Sequence, residues 1–282
     1  MSGNQRAKEG HSVAKKAIVT LAIGSAYIDR FEQLCRGNWM GYAERHGFDL
    51  FVIQEPLDRS ERARRRSPAW QKCLVLGAPE LAGYERVVWV DSDIFLNPAS
   101  PSILEGVPME NCGVTDEHRF PTPESRRTIL REIIANAPAD GDFNARYWEA
   151  WLDPGSWHAA WKLPSGQAHI VQTGVMVLSP KHHREILEHV YHAYEDRGLN
   201  YEMRPLSHEI QAHGLQHWID PRFNALVWWM FLQRSMQGAQ IVTQEDMNHF
   251  LLESYQRSYF LHFAGAANLM PLLGLAGGQT VP

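Results

Sequence analysis

Residues 87–98 read VVWVDSDIFLNP, from Val87 to Pro98. Four apolar residues run straight into Asp91-Ser92-Asp93, and the chain then turns apolar again. A short apolar run with such a boundary has the pattern of a buried strand. An ionised carboxylate at its end needs a partner, or its pKa rises until it is neutral. A hard divalent cation is one such partner, because it takes oxygen ligands and can share them with phosphates. Asp is also common in turns, so a bare Asp-x-Asp leaves a solvated acidic turn open. The apolar residues on both sides weigh against a mere turn.

Working outward from this strand, Ala17–Ile23 (AIVTLAI) is a first apolar, β-branched strand, stopped by Gly24-Ser25. Tyr27–His46 has helical spacing, and Gly47 ends it. Asp49–Gln54 is a second strand. Leu57–Pro68 is a charged loop with Arg62, Arg64, Arg65 and Arg66, and Ala69–Leu76 is a helix. The β-α-β-α-β order with fully apolar strands predicts a mostly parallel sheet covered by helices on both faces. Ligands of such sheets sit at the carboxyl ends of the strands, where Asp91 and Asp93 lie. Residues 120–168 break the pattern, with one helix at Ser125–Ala135 and a stretch carrying Trp148, Trp151, Trp157 and Trp161. Ile170–Leu178 is the next strand, followed by helices at Lys181–Asp196 and Leu206–Gly214. Tyr259–Gly265 (YFLHFAG) is a last apolar strand before a Gly-rich end.

The chain has 282 residues, 44% hydrophobic and 21% charged, enough for a sizeable core in one large domain or two small ones. A net charge of -5 argues against a general nucleic-acid binder. Cys35, Cys73 and Cys112 have no metal-like spacing and read as reduced thiols, which suits a cytoplasmic protein. No stretch is long and apolar enough to span a bilayer, and residues 1–15 read as a flexible polar tail. The Arg run and the apolar LMPLLGLAG segment leave peripheral contact at the inner membrane surface open. His182, His183, His189 and His192 read as an exposed helix face rather than a metal cluster.

VVWVDSDIFLNP resembles the DxD segment of GT-A-fold glycosyltransferases, which use nucleotide-diphosphate sugars. Three further segments agree in order. IVTLAIGSAY resembles the nucleotide-contacting start of that fold. Residues 172–178 (QTGVMVL) resemble the N-[ST]-G-V strand of the retaining families 8 and 34, and YFLHFAG resembles their H-[FY]-x-G segment. Trp70-Gln71-Lys72 is similar to the W-x-K of family 34. The resemblance covers about 17–265, outside the segment 120–168.

It implies a single GT-A domain over 16–265, with 120–168 an acceptor-binding or lid insertion and 266–282 a C-terminal tail. It implies a metal held by Asp91, Asp93 and His262, Mn2+ before Mg2+, since an imidazole beside carboxylates suits a transition metal. It implies a nucleotide-sugar donor, expected to be UDP-linked, and a carbohydrate or glycoconjugate acceptor, with transfer by retention. Thr20, Ala22 and Tyr27 match positions that receive base and ribose. Lys72 matches a phosphate-side position, and Ser92 and Gly265 lie within the matched segments. Near the sugar, the family carries an Asp-Gln or similar pair on a short helix. Here that region reads LSHEIQ, which makes Glu209 and then Gln211 the candidates. Gln172 stands where the family has asparagine. A sugar nucleotidyltransferase is an alternative reading, but AIGSAYIDR has too few glycines for the usual signature after the first strand. A non-catalytic nucleotide-sugar or carbohydrate binder is another.

Overall fold

Strand β1 (Lys16–Leu21) is the hinge of the architecture: it pairs in parallel with β2 (Asp49–Ile53) on one side and with β3 (Arg86–Val90) on the other. The computed structural model describes residues 15–164, 166–239 and 241–273. The connection from β1 to β2 runs through α1 (Ser25–Arg30), a π turn (Phe31–Cys35) and α2 (Arg36–His46), one continuous helical path. Gly47 ends it in the left-handed conformation at φ 66°, which a residue with a Cβ adopts only at a cost. The short α3 (Glu61–Arg64) and a 3-10 helix (Pro68–Gly77) lead to β3.

After β3 the chain forms β4 (Ile94–Leu96) and then β5 (Cys112–Asp116). Helices α4 (Pro123–Asn136), α5 (Ala145–Glu149) and α6 (Pro154–Ala159) fill the segment read as an insertion. β6 (Val171–Leu178), α7 (Pro180–Ala193), α8 (Met203–Ala212) and β7 (Gln216–Trp218) follow. The described chain closes with β8 (Ala225–Leu226), α9 (Val227–Met236), α10 (Gln244–Arg257), β9 (Phe260–His262) and a 3-10 helix (Ala267–Leu273).

The large sheet has the order β2-β1-β3-β6-β5-β7. β6 alone runs against its neighbours, so the sheet is mostly parallel, as the apolar runs predict. The period of two divides its side chains between two cores. Val87 and Trp89 of β3 face the 3-10 helix Pro68–Gly77, α7 and α8, whereas Val88 and Val90 face α2 and a small sheet, β4-β9-β8. Trp39 of α2 is fully buried and donates its indole N–H to Ile94 O at 2.7 Å, which ties that helix to the small sheet.

Two boundaries differ from expectation. The packed body continues past 265, because Met270 and Leu273 bury themselves against the larger core; the remainder of the expected tail, 274–282, lies outside the described residues. The expected N-terminal tail also lies outside them, save Lys15, whose carbonyl accepts from Glu85 N–H at 2.9 Å.

Candidate functional site

β3 ends at Val90, and the chain changes sheets over the next three residues. Asp91 N–H still donates to Gly174 O of β6 at 2.8 Å, while Phe263 N–H donates to Asp93 O at 3.0 Å. β4 then begins at Ile94, paired with His262 of β9. The Asp-Ser-Asp bridge therefore crosses between the two sheets, and β9 brings His262 opposite it. One ligand atom from each of Asp91, Asp93 and His262 lies within 4.8 Å of the others. His262 Nε2 is 3.3 Å from Asp93 Oδ1 and 3.9 Å from Asp91 Oδ2.

A chain of amides fixes the imidazole. Gln172 Oε1 accepts from Gly174 N–H at 2.6 Å and from Asn224 Nδ2 at 3.3 Å. That turns the Asn224 oxygen toward His262, whose Nδ1 lies 2.8 Å away. Nδ1 thus carries a proton, and Nε2 is aimed at the carboxylates, the tautomer a metal ligand needs. Two carboxylate oxygens and one imidazole nitrogen fit Mn2+ or a similar transition ion better than Mg2+.

Without a cation, a proton on Nε2 fills the gap. Burial disfavours that charge, but Asp93 and then Asp91 outweigh it and hold the His262 pKa above its ordinary value. Burial likewise works against the Asp93 carboxylate, and the His262 charge still holds its pKa down. An ion at this site must displace the His262 proton. Mn2+ affinity is therefore expected to fall as pH drops and to rise as the imidazole loses its proton, with up to about one proton released per ion. Calorimetry in buffers of different ionisation enthalpy reads that proton directly.

Gly174 makes room for the ligand. A Cβ there would stand 2.5 Å from His262 Cε1 and 2.9 Å from Nδ1, closer than side chains approach. Gly174→Ala is expected to push the imidazole off its position and weaken Mn2+ binding by about tenfold or more. Titration of the Mn2+ electron-spin resonance signal checks this, with a melting curve to show that the fold persists.

Lys72 is buried between carboxylates. It is 3% exposed, and its Nζ lies 3.0 Å from Asp91 Oδ1 and 2.8 Å from Glu202 Oε1. Trp89 Nε1 donates to the same Asp91 oxygen at 2.9 Å. Asp91 therefore keeps only Oδ2 for an ion. Glu202 Oε1 also accepts from Thr173 Oγ1 at 3.3 Å, which orients the carboxylate above β6.

The triad opens into a cleft of about 680 Å³ at the end of β3. Ser92, Gln172, Lys72, Gly265 and Tyr27 line it, and Tyr27 is 55% exposed rather than part of the core. Thr20 and Ala22 do not line it. The alternation of the first strand puts Leu21 and Ile23 on the cleft wall, and Thr20 and Ala22 are fully buried beneath.

Glu209 and Gln211 are also away from the cleft. Glu209 accepts from the Tyr194 hydroxyl and faces His208 and His213. Gln211 bonds the His169 backbone and Ser207. The carboxylate that does reach the cleft from this part of the chain is Glu202, just before α8, and the sequence reading passed over it. Its signal was one of composition only, an acidic residue at a helix start. Asn224 ends a short 3-10 helix, Pro221–Asn224, and its bond to His262 depends on β9 lying beside it.

The remaining candidates divide. Trp148 and Trp151 line the cleft, whereas Trp157 and Trp161 are core residues. Arg62 and Arg66 bond Glu195 and carbonyls at the end of α7, so this part of the Arg run is structural. His183 is fully buried between Ser179 N–H and Glu110 O, not part of an exposed helix face. All three cysteines are buried free thiols. No helix among the described residues is long and apolar enough to cross a membrane.

No protein-family model matches the chain, and no curated protein matches it in sequence. Solved structures match its fold. A glycosyltransferase involved in the glycosylation of the major capsid of PBCV-1 aligns over 91% of this chain and 99% of its own, with TM-score 0.51 and 14% identity. The bifunctional glycosyltransferase WbbM, in its apo form, aligns over 92% of this chain and 47% of its own, with TM-score 0.50 and 11% identity. With its mostly parallel sheet and Asp-Ser-Asp crossing, the chain has the GT-A fold that these glycosyltransferases share.

Proposed function

We propose that the protein is a metal-dependent glycosyltransferase that moves a sugar from a nucleoside-diphosphate donor, UDP-linked, to a carbohydrate or glycoconjugate acceptor with retention of configuration. The observation that carries this reading is the convergence of Asp91, Asp93 and the Nε2 of His262 at the mouth of a cleft large enough for a nucleotide sugar. A divalent ion held there would neutralise the charge that grows on a departing diphosphate.

The chain's own residues set up the rest. The Gln172–Asn224 amides keep the His262 lone pair aimed outward. Lys72 fixes the Asp91 carboxylate so that one oxygen faces the ion, and it sets Glu202 beside Thr173 on the same wall. Tyr27 and Arg30 of α1 offer an aromatic face and a cation on the cleft wall, a suitable place for a nucleoside. Aromatic side chains of α5 and α9, including Trp148 and Trp228, line another part of the cleft and suit the apolar face of a sugar ring.

Incubation of the protein with UDP- and GDP-hexoses and Mn2+ tests the reading. Release of UDP is expected, and NMR of the anomeric proton in the product is expected to show the donor's configuration. If no sugar nucleotide is turned over with any divalent ion and any of a panel of glycosides, the reading is wrong.

A further inference from the structure

Of the large apolar side chains that stand exposed among the described residues, three line the cleft: Tyr27, Tyr201 and Trp228. Tyr27 carries the Arg30 guanidinium over its ring, 5.4 Å from the centre. Tyr201 and Trp228 are 43% and 45% exposed, and each is held in that position by a device of its own.

Tyr201 is held by its backbone. Its φ is 39° and that of Asn200 is 72°, both in the left-handed region. Asparagine tolerates that region, but a bulky side chain there is strained. Such strain persists only where the surroundings over-determine it. Here Tyr201 N–H donates to Gly198 O at 3.0 Å, and Met203 N–H donates to Asn200 O at 2.8 Å. The next residue, Glu202, is clamped by Lys72 at 2.8 Å. The strained backbone thus presents an aromatic side chain on the cleft wall, next in sequence to a buried carboxylate.

Trp228 is held by a ring stack. It lies in the first turn of α9, and the ring of Phe231, one turn on, is 6.0 Å away with the planes 15° apart. Phe231 in turn meets the buried ring of Phe250 edge-on at 5.8 Å. One face of the indole is backed from the core in this way, and the exposed part lines the cleft.

Charge narrows the ligand. The only lysine and arginine among the described cleft-lining residues are Lys72 and Arg30. Lys72 is spent on Asp91 and Glu202, and Arg30 lies against Tyr27. Four carboxylates, Asp91, Asp93, Glu117 and Glu202, line the same cleft. An anionic group beside Tyr201 would meet Glu202 with no free cation to answer it.

We infer that Tyr201 and Trp228 are stacking platforms for an uncharged pyranose ring. The apolar C–H face of the ring lies on the aromatic face, and its hydroxyls stay at the edge. The platforms rest on the glycosyl-transfer reading for their place in a reaction, but not for their chemistry.

The test uses the full chain, loaded with Mn2+ and UDP, and the variants Tyr201→Gly, Tyr201→Phe, Trp228→Ala and Trp228→Phe. Methyl β-D-galactopyranoside, methyl β-D-glucopyranoside and methyl β-D-glucuronide are titrated by saturation-transfer NMR. UDP-galactose and UDP-glucose are titrated against UDP by calorimetry. Tyr201→Gly and Trp228→Ala are each expected to lose about tenfold in sugar affinity, and the two Phe variants to keep most of it. The glucuronide is expected to bind more weakly than either neutral glycoside. Loss in the glycoside titration places the ring on the acceptor; loss in UDP-sugar relative to UDP places it on the donor. Tyr201→Gly separates binding from folding, because glycine takes a φ of 39° without strain. It should melt no lower than Tyr201→Phe while losing the sugar, which a residue kept for packing would not do.

Equal sugar binding by wild type, Tyr201→Gly and Trp228→Ala overturns the inference, as does a glucuronide that binds as tightly as the neutral glycosides. Loss in one variant alone keeps that residue as a platform and strikes the other. A wild type that binds Mn2+ and UDP but no sugar overturns the platforms alone, and one that binds none of them overturns the glycosyl-transfer reading as well. Failure of Mn2+ and UDP to bind, with glycoside binding intact and lost in the variants, would remove the donor reading and leave the platforms standing.

Discussion

Asp93→Ala is expected to abolish metal-dependent UDP binding while leaving the protein folded. Asp93 supplies the oxygen closest to His262 Nε2, at 3.3 Å. Its loss leaves Asp91, already half engaged by Lys72 and Trp89, as the one carboxylate facing an ion. Removal even of a group that merely orients a ligand costs about 10–100-fold in metal affinity, and loss of a ligand should exceed that. The fold should tolerate the change. His262 then loses the larger of the two carboxylate charges that favour its proton, and remains hydrogen-bonded through Nδ1 to Asn224. Titration of UDP by calorimetry, with Mn2+ and with a chelator, reads the effect. Wild type should bind UDP tightly only with the ion, and the variant weakly under both conditions. UDP binding that survives in the variant with its Mn2+ dependence unchanged would show that the ion, if any, sits elsewhere.

The triad was legible in the sequence because each ligand lies in a locally distinctive segment. Two aspartates interrupt an apolar strand, and a histidine interrupts another. The strands of the sheet centre were legible for the same reason: β1, β3 and β6 are buried on both faces and read as continuous apolar runs. β5 was not, because CGVTD carries one large apolar residue and draws its burial from its neighbours. β4 and β7 have three residues each, too short for any period to show, whereas β9 falls inside the apolar run YFLHFAG. α10 had a readable start, the Thr243–Asp246 capping box, which went unused.

Side-chain direction was the harder matter. Glu202 stands just before α8 and Glu209 within it, seven positions further on. Only the packing of α8 against β6 and α7 decides which of the two faces the cleft. Thr20 and Ala22 illustrate the same limit at a spacing of one: in a strand a shift of one residue exchanges cleft for core.

Lys72→Met is expected to destabilise the protein by about 3–5 kcal/mol, the largest effect of any single change at this site, because it removes the cation between two carboxylates. Lys72 Nζ touches Asp91, Glu202 and, at 3.4 Å, the Thr173 carbonyl, with the Trp89 ring 5.3 Å away. Burial alone would lower its pKa, yet Asp91 and Glu202 together hold it above the ordinary lysine value. A pKa raised in the folded state adds stability that is complete below the unfolded value, about 10.4, and is lost as pH rises through the folded one. Wild type should therefore lose this increment only in strong alkali. In Lys72→Met the increment is absent at every pH. What remains is a pair of carboxylates, of which the buried Glu202 has lost its cation. Urea unfolding of wild type and variant at about pH 7 reads the difference. A Lys72→Met, Glu202→Gln double variant sharpens the point. If the cost comes from an uncompensated carboxylate, neutralising Glu202 should restore a substantial part of the stability, and the two changes will be far from additive. If the losses simply add, the lysine contributes through its packed stem against Trp89 rather than through its charge.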